Sequence, residues 1–135
     1  MSRIITTTRY GEAGAEASGR HVGTVMTVTF RVAGEEIVGL NGGPEFTFSE
    51  AVSLMAPCET QDEVDLLWEK LSEGGEQGPC GWLKDKYGLS WQVVPTILAE
   101  MLQDADPDKR ERVMSAMLDM KKLEIEPLRR AYDGS

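Results

Sequence analysis

Residues 22–32, VGTVMTVTFRV, alternate with a period of two that a helix cannot satisfy. Met26, Val28, Phe30 and Val32 fall on one side of an extended chain, and Val25, Thr27, Thr29 and Arg31 on the other. The first set is expected in a core and the second nearer solvent. Residues 3–10 are also rich in β-branched types and predict a strand. Ala33-Gly34-Glu35 supplies a turn and residues 36–41 return, so the alternating run is one arm of a hairpin. Between them lies GEAGAEASG, residues 11–19, with three glycines and no large apolar anchor. It reads as a mobile loop.

Asn41-Gly42-Gly43-Pro44 then breaks the regular pattern, and residues 51–58 read as another strand. Thr60, with Glu63 three positions on, has the spacing of a capping box. Val64, Leu67, Trp68 and Leu71 follow at helical spacing, and Gly74-Gly75 ends that helix. Residues 81–85 and 89–94 predict two strands around a turn at Lys86-Tyr87-Gly88, with Lys84 and Asp85 placed to pair near it. The last forty residues change character. Residues 96–103 form a short helix, and Asp106-Pro107 opens a second with Val113, Ala116, Met117 and Met120 as its apolar stripe. Lys121-Lys122 falls at its C-terminal end, where cations suit the helix dipole. A third helix runs from Pro127 to near Tyr132. The order of elements is that of an α+β chain with mostly antiparallel pairing.

At 135 residues, with 14 Lys plus Arg against 23 Asp plus Glu, the chain has the size of one domain, or of two small modules sharing a core, and a net charge of −9. That acid excess opposes a nucleic-acid partner, because such binding rests on cations neutralising phosphates. No apolar run approaches a membrane span, and the N-terminus has no apolar signal core, so the protein is expected in the cytoplasm.

With one His and two Cys, a His-rich metal site or a four-cysteine zinc site is out of reach of a single chain. His21 is the side chain that titrates near neutrality, but its place beside a glycine-rich stretch predicts an exposed residue. Cys58 and Cys80 read as small buried thiols, and Met114, Met117 and Met120 as helix packing. Glycines 75, 78 and 81 follow a helix and precede a strand. That reverses the order a dinucleotide or methyl-donor loop needs.

Three segments carry a resemblance: LNGGPEFTFSEAVSL (residues 40–54), GPCGWLKDKYGLSWQVVP (78–95) and VMSAMLDMKKLEIEPL (113–128). Together they resemble the PhnB-like branch of the vicinal oxygen chelate superfamily, the glyoxalase/bleomycin-resistance/dioxygenase fold. Members of this branch often carry the label 3-demethylubiquinone-9 3-methyltransferase. The resemblance implies paired βαβββ modules around a pocket, and a homodimer. Against the family pattern, the chain is expected to start after the first strand and helix of module one, either through a miscalled start or because half of that module is truly absent. Residues 1–48 then make an incomplete first module, 49–95 a second, and 96–135 a C-terminal helical extension. A half-module exposes a sheet edge that another chain is expected to cover.

The resemblance implies that metal-dependent relatives place His, Gln or Glu ligands on the first and last strands of each module. Here Gly39-Leu40-Asn41 lacks the carboxylate, the segment near Glu50 and Ala51 lacks a His, and Gln92 stands where the superfamily's Glu would be. A neutral amide is a poor sole anchor for a divalent cation, so no metal and no cofactor are expected. Trp82 and Trp91 line an aromatic pocket or fill the second module's core, and Asn41 presents polar groups at the crossover or merely connects. The expectation is a small-molecule-binding homodimer with Asn41, Trp82, Trp91 and Gln92 at its pocket. The alternatives are an enzyme, either the labelled methyltransferase or a metal-dependent glyoxalase or dioxygenase, and a purely structural dimer.

Overall fold

The computed structural model describes residues 2–135 and divides into two units, Met1–Thr47 and Phe48–Ser135. In the first, β1 (Arg3–Arg9), β2 (Val25–Val32) and β3 (Glu35–Leu40) form an antiparallel sheet in the order β1-β2-β3. The alternation in β2 sets its register. Phe30 lies between Ile4 and Ile37, and Thr29 lies between Thr6 and Val38 on the opposite face. The expected core on the Phe30 side is shallow, however. All of β2 is half-buried or exposed, and Tyr10 and Ala15 are the buried hydrophobic side chains described in this unit.

Residues 12–18 are not a loop. They form a short helix, α1 (Glu12–Ser18), closed by Gly19 in the left-handed region at φ 74°. Alanine at 13, 15 and 17 favours helix strongly. Gly14 lets the helix sit close to the Tyr10 ring, where a Cβ would lie 3.2 Å from Cδ1.

In the second unit, β4 (Ser53–Cys58), β5 (Glu76–Gln77), β6 (Trp82–Lys84) and β7 (Ser90–Pro95) form a sheet in the order β4-β7-β6-β5. The outer pair β4·β7 is parallel and the rest antiparallel. A parallel pair needs a long crossover, supplied here in part by α2 (Gln61–Ser72). The Thr60 hydroxyl accepts from the Glu63 amide at 3.2 Å, and Glu63 reaches back to the Glu59 amide at 2.7 Å. The apolar stripe of α2 places Val64 and Trp68 against Cys58, Leu83 and Val93, with Leu67, Leu71 and Trp91 at the margin.

Helices α3 (Thr96–Leu102), α4 (Pro107–Leu118) and α5 (Ile125–Asp133) build a second cluster from Leu98, Met101, Val113, Leu123 and Leu128. Asp106 caps α4 by accepting from the Asp108 amide. Because α4 stops at Leu118, Lys121 and Lys122 lie beyond its end rather than on its last turn. Lys122 instead pairs with Asp65 of α2 at 2.8 Å. Helix α5 starts at Ile125, two residues before Pro127, because the first turn of a helix tolerates a proline without an N–H. No described helix is long and apolar enough to cross a membrane.

Candidate functional site

The second sheet has two distinct faces. Cross-strand pairing puts Leu83 beside Trp91, on the face packed by α2. It puts Trp82 beside Gln92 and Lys84 beside Ser90 on the other face. The parallel partner strand adds Ser53 beside Ser90 and Met55 beside Gln92. The face away from α2 thus carries an indole, an amide, two hydroxyls and an ammonium group.

Two of the pocket residues expected from sequence, Trp82 and Gln92, come together on this face, and Gln92 Nε2 donates to Ser53 Oγ at 2.9 Å. Trp91 does not join them. It packs at the margin of the α2 core and donates its indole N–H to Asp85 Oδ2 at 2.9 Å. Asp85 also accepts from the Tyr87 and Leu89 amides, so it fixes the turn and does not pair with Lys84. Lys84 pairs with Glu50, holding the Glu50 carboxyl below its ordinary range while its own ammonium is held above it. Asn41 belongs to the first unit, where its side chain donates to the Val25 carbonyl and its own carbonyl accepts from the Tyr10 hydroxyl.

A cleft of about 170 Å³ opens beside Trp82 and Lys84. Glu50, Glu76, Gly78, Pro79 and Ser90 contribute to its walls. Ser90 is 1% exposed, and its Oγ has no hydrogen-bond partner among the described residues. A buried hydroxyl without a partner costs free energy, and native proteins carry few of them. Sequence reasoning missed Ser90 because a serine in a strand shows nothing of its neighbours. Its only outward signal was proximity to Gln92 on the same strand face.

Other candidates fall outside the site. His21 is exposed in a turn. Cys58 is fully buried, and burial pushes its thiol up, away from the reactive thiolate. Cys80 is half-buried rather than fully enclosed. No three His, Cys, Asp or Glu side chains among the described residues are grouped to hold a metal ion.

The profile of a protein family described as 3-demethylubiquinone-9 3-methyltransferase matches residues 1–94. Among solved structures, a PhnB protein from Bacillus cereus that provisionally carries the same methyltransferase name is 34% identical, with a TM-score of 0.59. The match covers 70% of this chain and 80% of that one. A protein from Staphylococcus aureus is 24% identical over 68% of this chain and 72% of that one, with a TM-score of 0.28. No curated protein matches the chain.

Proposed function

We propose, from the premise that the chain belongs to the family described as 3-demethylubiquinone-9 3-methyltransferase, that it is a small-molecule-binding protein of the vicinal oxygen chelate superfamily. It works in the cytoplasm as a homodimer and uses no metal. The observation that carries this reading is the grouping of Trp82, Gln92 and the unpartnered Ser90 on the sheet face away from α2. Ligand binding there rests on apolar burial against Trp82, with Gln92 fixing orientation through its amide. In that reading residues 49–95 are the binding module and 96–135 an accessory helical extension. The order β4-β7-β6-β5, with a parallel outer pair, supports the superfamily assignment.

The homodimer is supported by the first sheet. Ile4, Val38 and Leu40 are 69%, 59% and 68% exposed on its two outer strands. Exposed apolar strand edges invite pairing with another chain. Sedimentation equilibrium checks it, and a monomer at working concentration would overturn that part.

The family's name favours a second reading, methyl transfer. Calorimetric titration with S-adenosylmethionine tests it, and saturable micromolar binding would replace the binder with an enzyme. Metal-dependent glyoxalase or dioxygenase chemistry has less support. The face offers the neutral donors Ser53, Ser90 and Gln92, Glu50 is already paired with Lys84, and Glu76 adds a single carboxylate at the cleft. A divalent cation prefers carboxylate, imidazole or thiolate. The binding reading is tested by a fragment screen read on the fragments' own signals by saturation-transfer NMR. Hits that vanish in Trp82→Ala support it. A folded dimer giving no Trp82-dependent hit would leave a structural dimer as the better account.

A further inference from the structure

We infer that the cleft beside Trp82 selects its ligand by charge, taking a small, flat organic cation with an N–H donor and rejecting the anion of the same shape. This rests on the binding reading above and specifies its chemistry. Three ionisable groups line the cleft: Glu50, Glu76 and Lys84. Glu50 and Lys84 neutralise each other. Glu76 is the cross-strand neighbour of Lys84 and leaves one carboxylate in excess. An incoming anion would have to displace Glu50 from Lys84 and then sit beside Glu76. A cation meets Glu76 without breaking any pair.

The remaining walls suit the same ligand. Trp82 offers an indole, whose face attracts cations. Pro79 and Gly78 add apolar wall. Ser90 Oγ has unused acceptor capacity at the floor. Its cross-strand neighbour Lys84 directs its ammonium to Glu50 and not to the hydroxyl. A ligand N–H donated to Ser90 Oγ would give this buried hydroxyl the partner that no described residue supplies.

Benzamidine, benzamide and benzoate test this, because they share a shape and differ in charge. Binding is read from the Trp82 indole N–H resonance, assigned among the chain's three tryptophans with Trp82→Phe. The expected order is benzamidinium, then benzamide, then benzoate, with about twofold to fivefold between neighbours, the span of a modest charge contact. Ser90→Ala weakens benzamidinium about fivefold, the value of one hydrogen bond. Lys84→Ala, which leaves two carboxylates unopposed, tightens it by a similar factor. Equal binding of the three, or benzoate tightest, overturns the charge selection and leaves the binding reading intact. An unchanged affinity in Ser90→Ala overturns the role of the hydroxyl. If none of the three shifts the Trp82 signal while other fragments do, the inference fails alone. If no compound shifts it, the binding reading fails as well.

Discussion

Trp82 and Trp91 stand on neighbouring antiparallel strands and project from opposite faces of the same sheet, one beside Gln92 and the other beside Leu83. The two indoles therefore report on different properties. Trp91→Ala removes a half-buried ring from the α2 core and leaves Asp85 without its indole partner. It should cost about 2–3 kcal/mol, below the range for a fully buried aromatic. Trp82→Ala should cost less stability and abolish binding of fragments found with the wild type. Urea denaturation of both variants beside titrations followed on the fragments' own signals checks the division. Equal stability losses with equal binding would overturn it.

Ser90→Ala should stabilise the protein. The hydroxyl is buried without a partner, so its removal ends a desolvation penalty and leaves a methyl group that fits the same space. The expected gain is about 1 kcal/mol, at the low end of the cost of an unsatisfied buried polar group. It would appear as a higher urea midpoint at unchanged slope. A loss of stability would mean that the hydroxyl has found a partner in solution.

What the sequence revealed, and what it hid, follows the range of each interaction. The cap of α2 was legible because Thr60 and Glu63 lie three residues apart and their bond is local. The β2 alternation was legible because side-chain direction in a strand has a period of two. Helix α1 was obscured by Gly11, Gly14 and Gly19, although its alanines carry a local helical signal, and its close approach to the Tyr10 ring is tertiary. Period two also separates Trp91 from Gln92. The pairing of Trp82 with Gln92, which decides which indole shares the amide's face, depends on the register of the turn between them. Glu50 and Lys84 lie 34 positions apart, and no local pattern joins them.

Gln61 ties the helical extension to α2. Its Nε2 donates to the Leu123 carbonyl at 3.2 Å and its Oε1 accepts from the Ile125 amide at 2.8 Å, a two-point grip on the chain entering α5. Gln61→Ala should cost about 1–3 kcal/mol, the range for leaving part-buried backbone groups unpaired. The loss should be local first. Amide exchange should speed up at Leu123 through Leu128 before it does in β7. Uniform acceleration across the chain would mean that the extension and the sheet unfold as one unit.

The Asp65–Lys122 pair gives a pH signature. The Lys122 ammonium, and then the Gln61 amide, hold the Asp65 carboxyl below its ordinary value of 3.8. A carboxyl depressed in the folded state contributes stability at pH above the unfolded value, and loses it as pH falls through the folded value. Between about pH 5 and pH 2, the wild type should therefore lose more stability than Asp65→Asn, which carries no such group. At neutral pH the variant should start out slightly less stable, since the pair is exposed and weak. Parallel melting curves across that window read the difference. Identical slopes would show that the pair does not persist in solution.

Gly75→Ala probes how β5 enters the sheet beside the cleft. A Cβ on Gly75 would lie 2.1 Å from the Lys84 carbonyl oxygen and 2.7 Å from the Asp85 carbonyl carbon. Both contacts are backbone, so no side chain can rotate away, and either β5 or the end of β6 must move. Lys84 and Trp82 ride on β6 and Glu76 on β5, so the shift reaches the cleft as well as the fold. A destabilisation of about 2–3 kcal/mol is expected, in the range for overpacked sites. The Trp82 indole resonance should move without added ligand. A variant as stable as the wild type with an unmoved Trp82 signal would show that the junction of β5 and β6 absorbs a methyl group without cost.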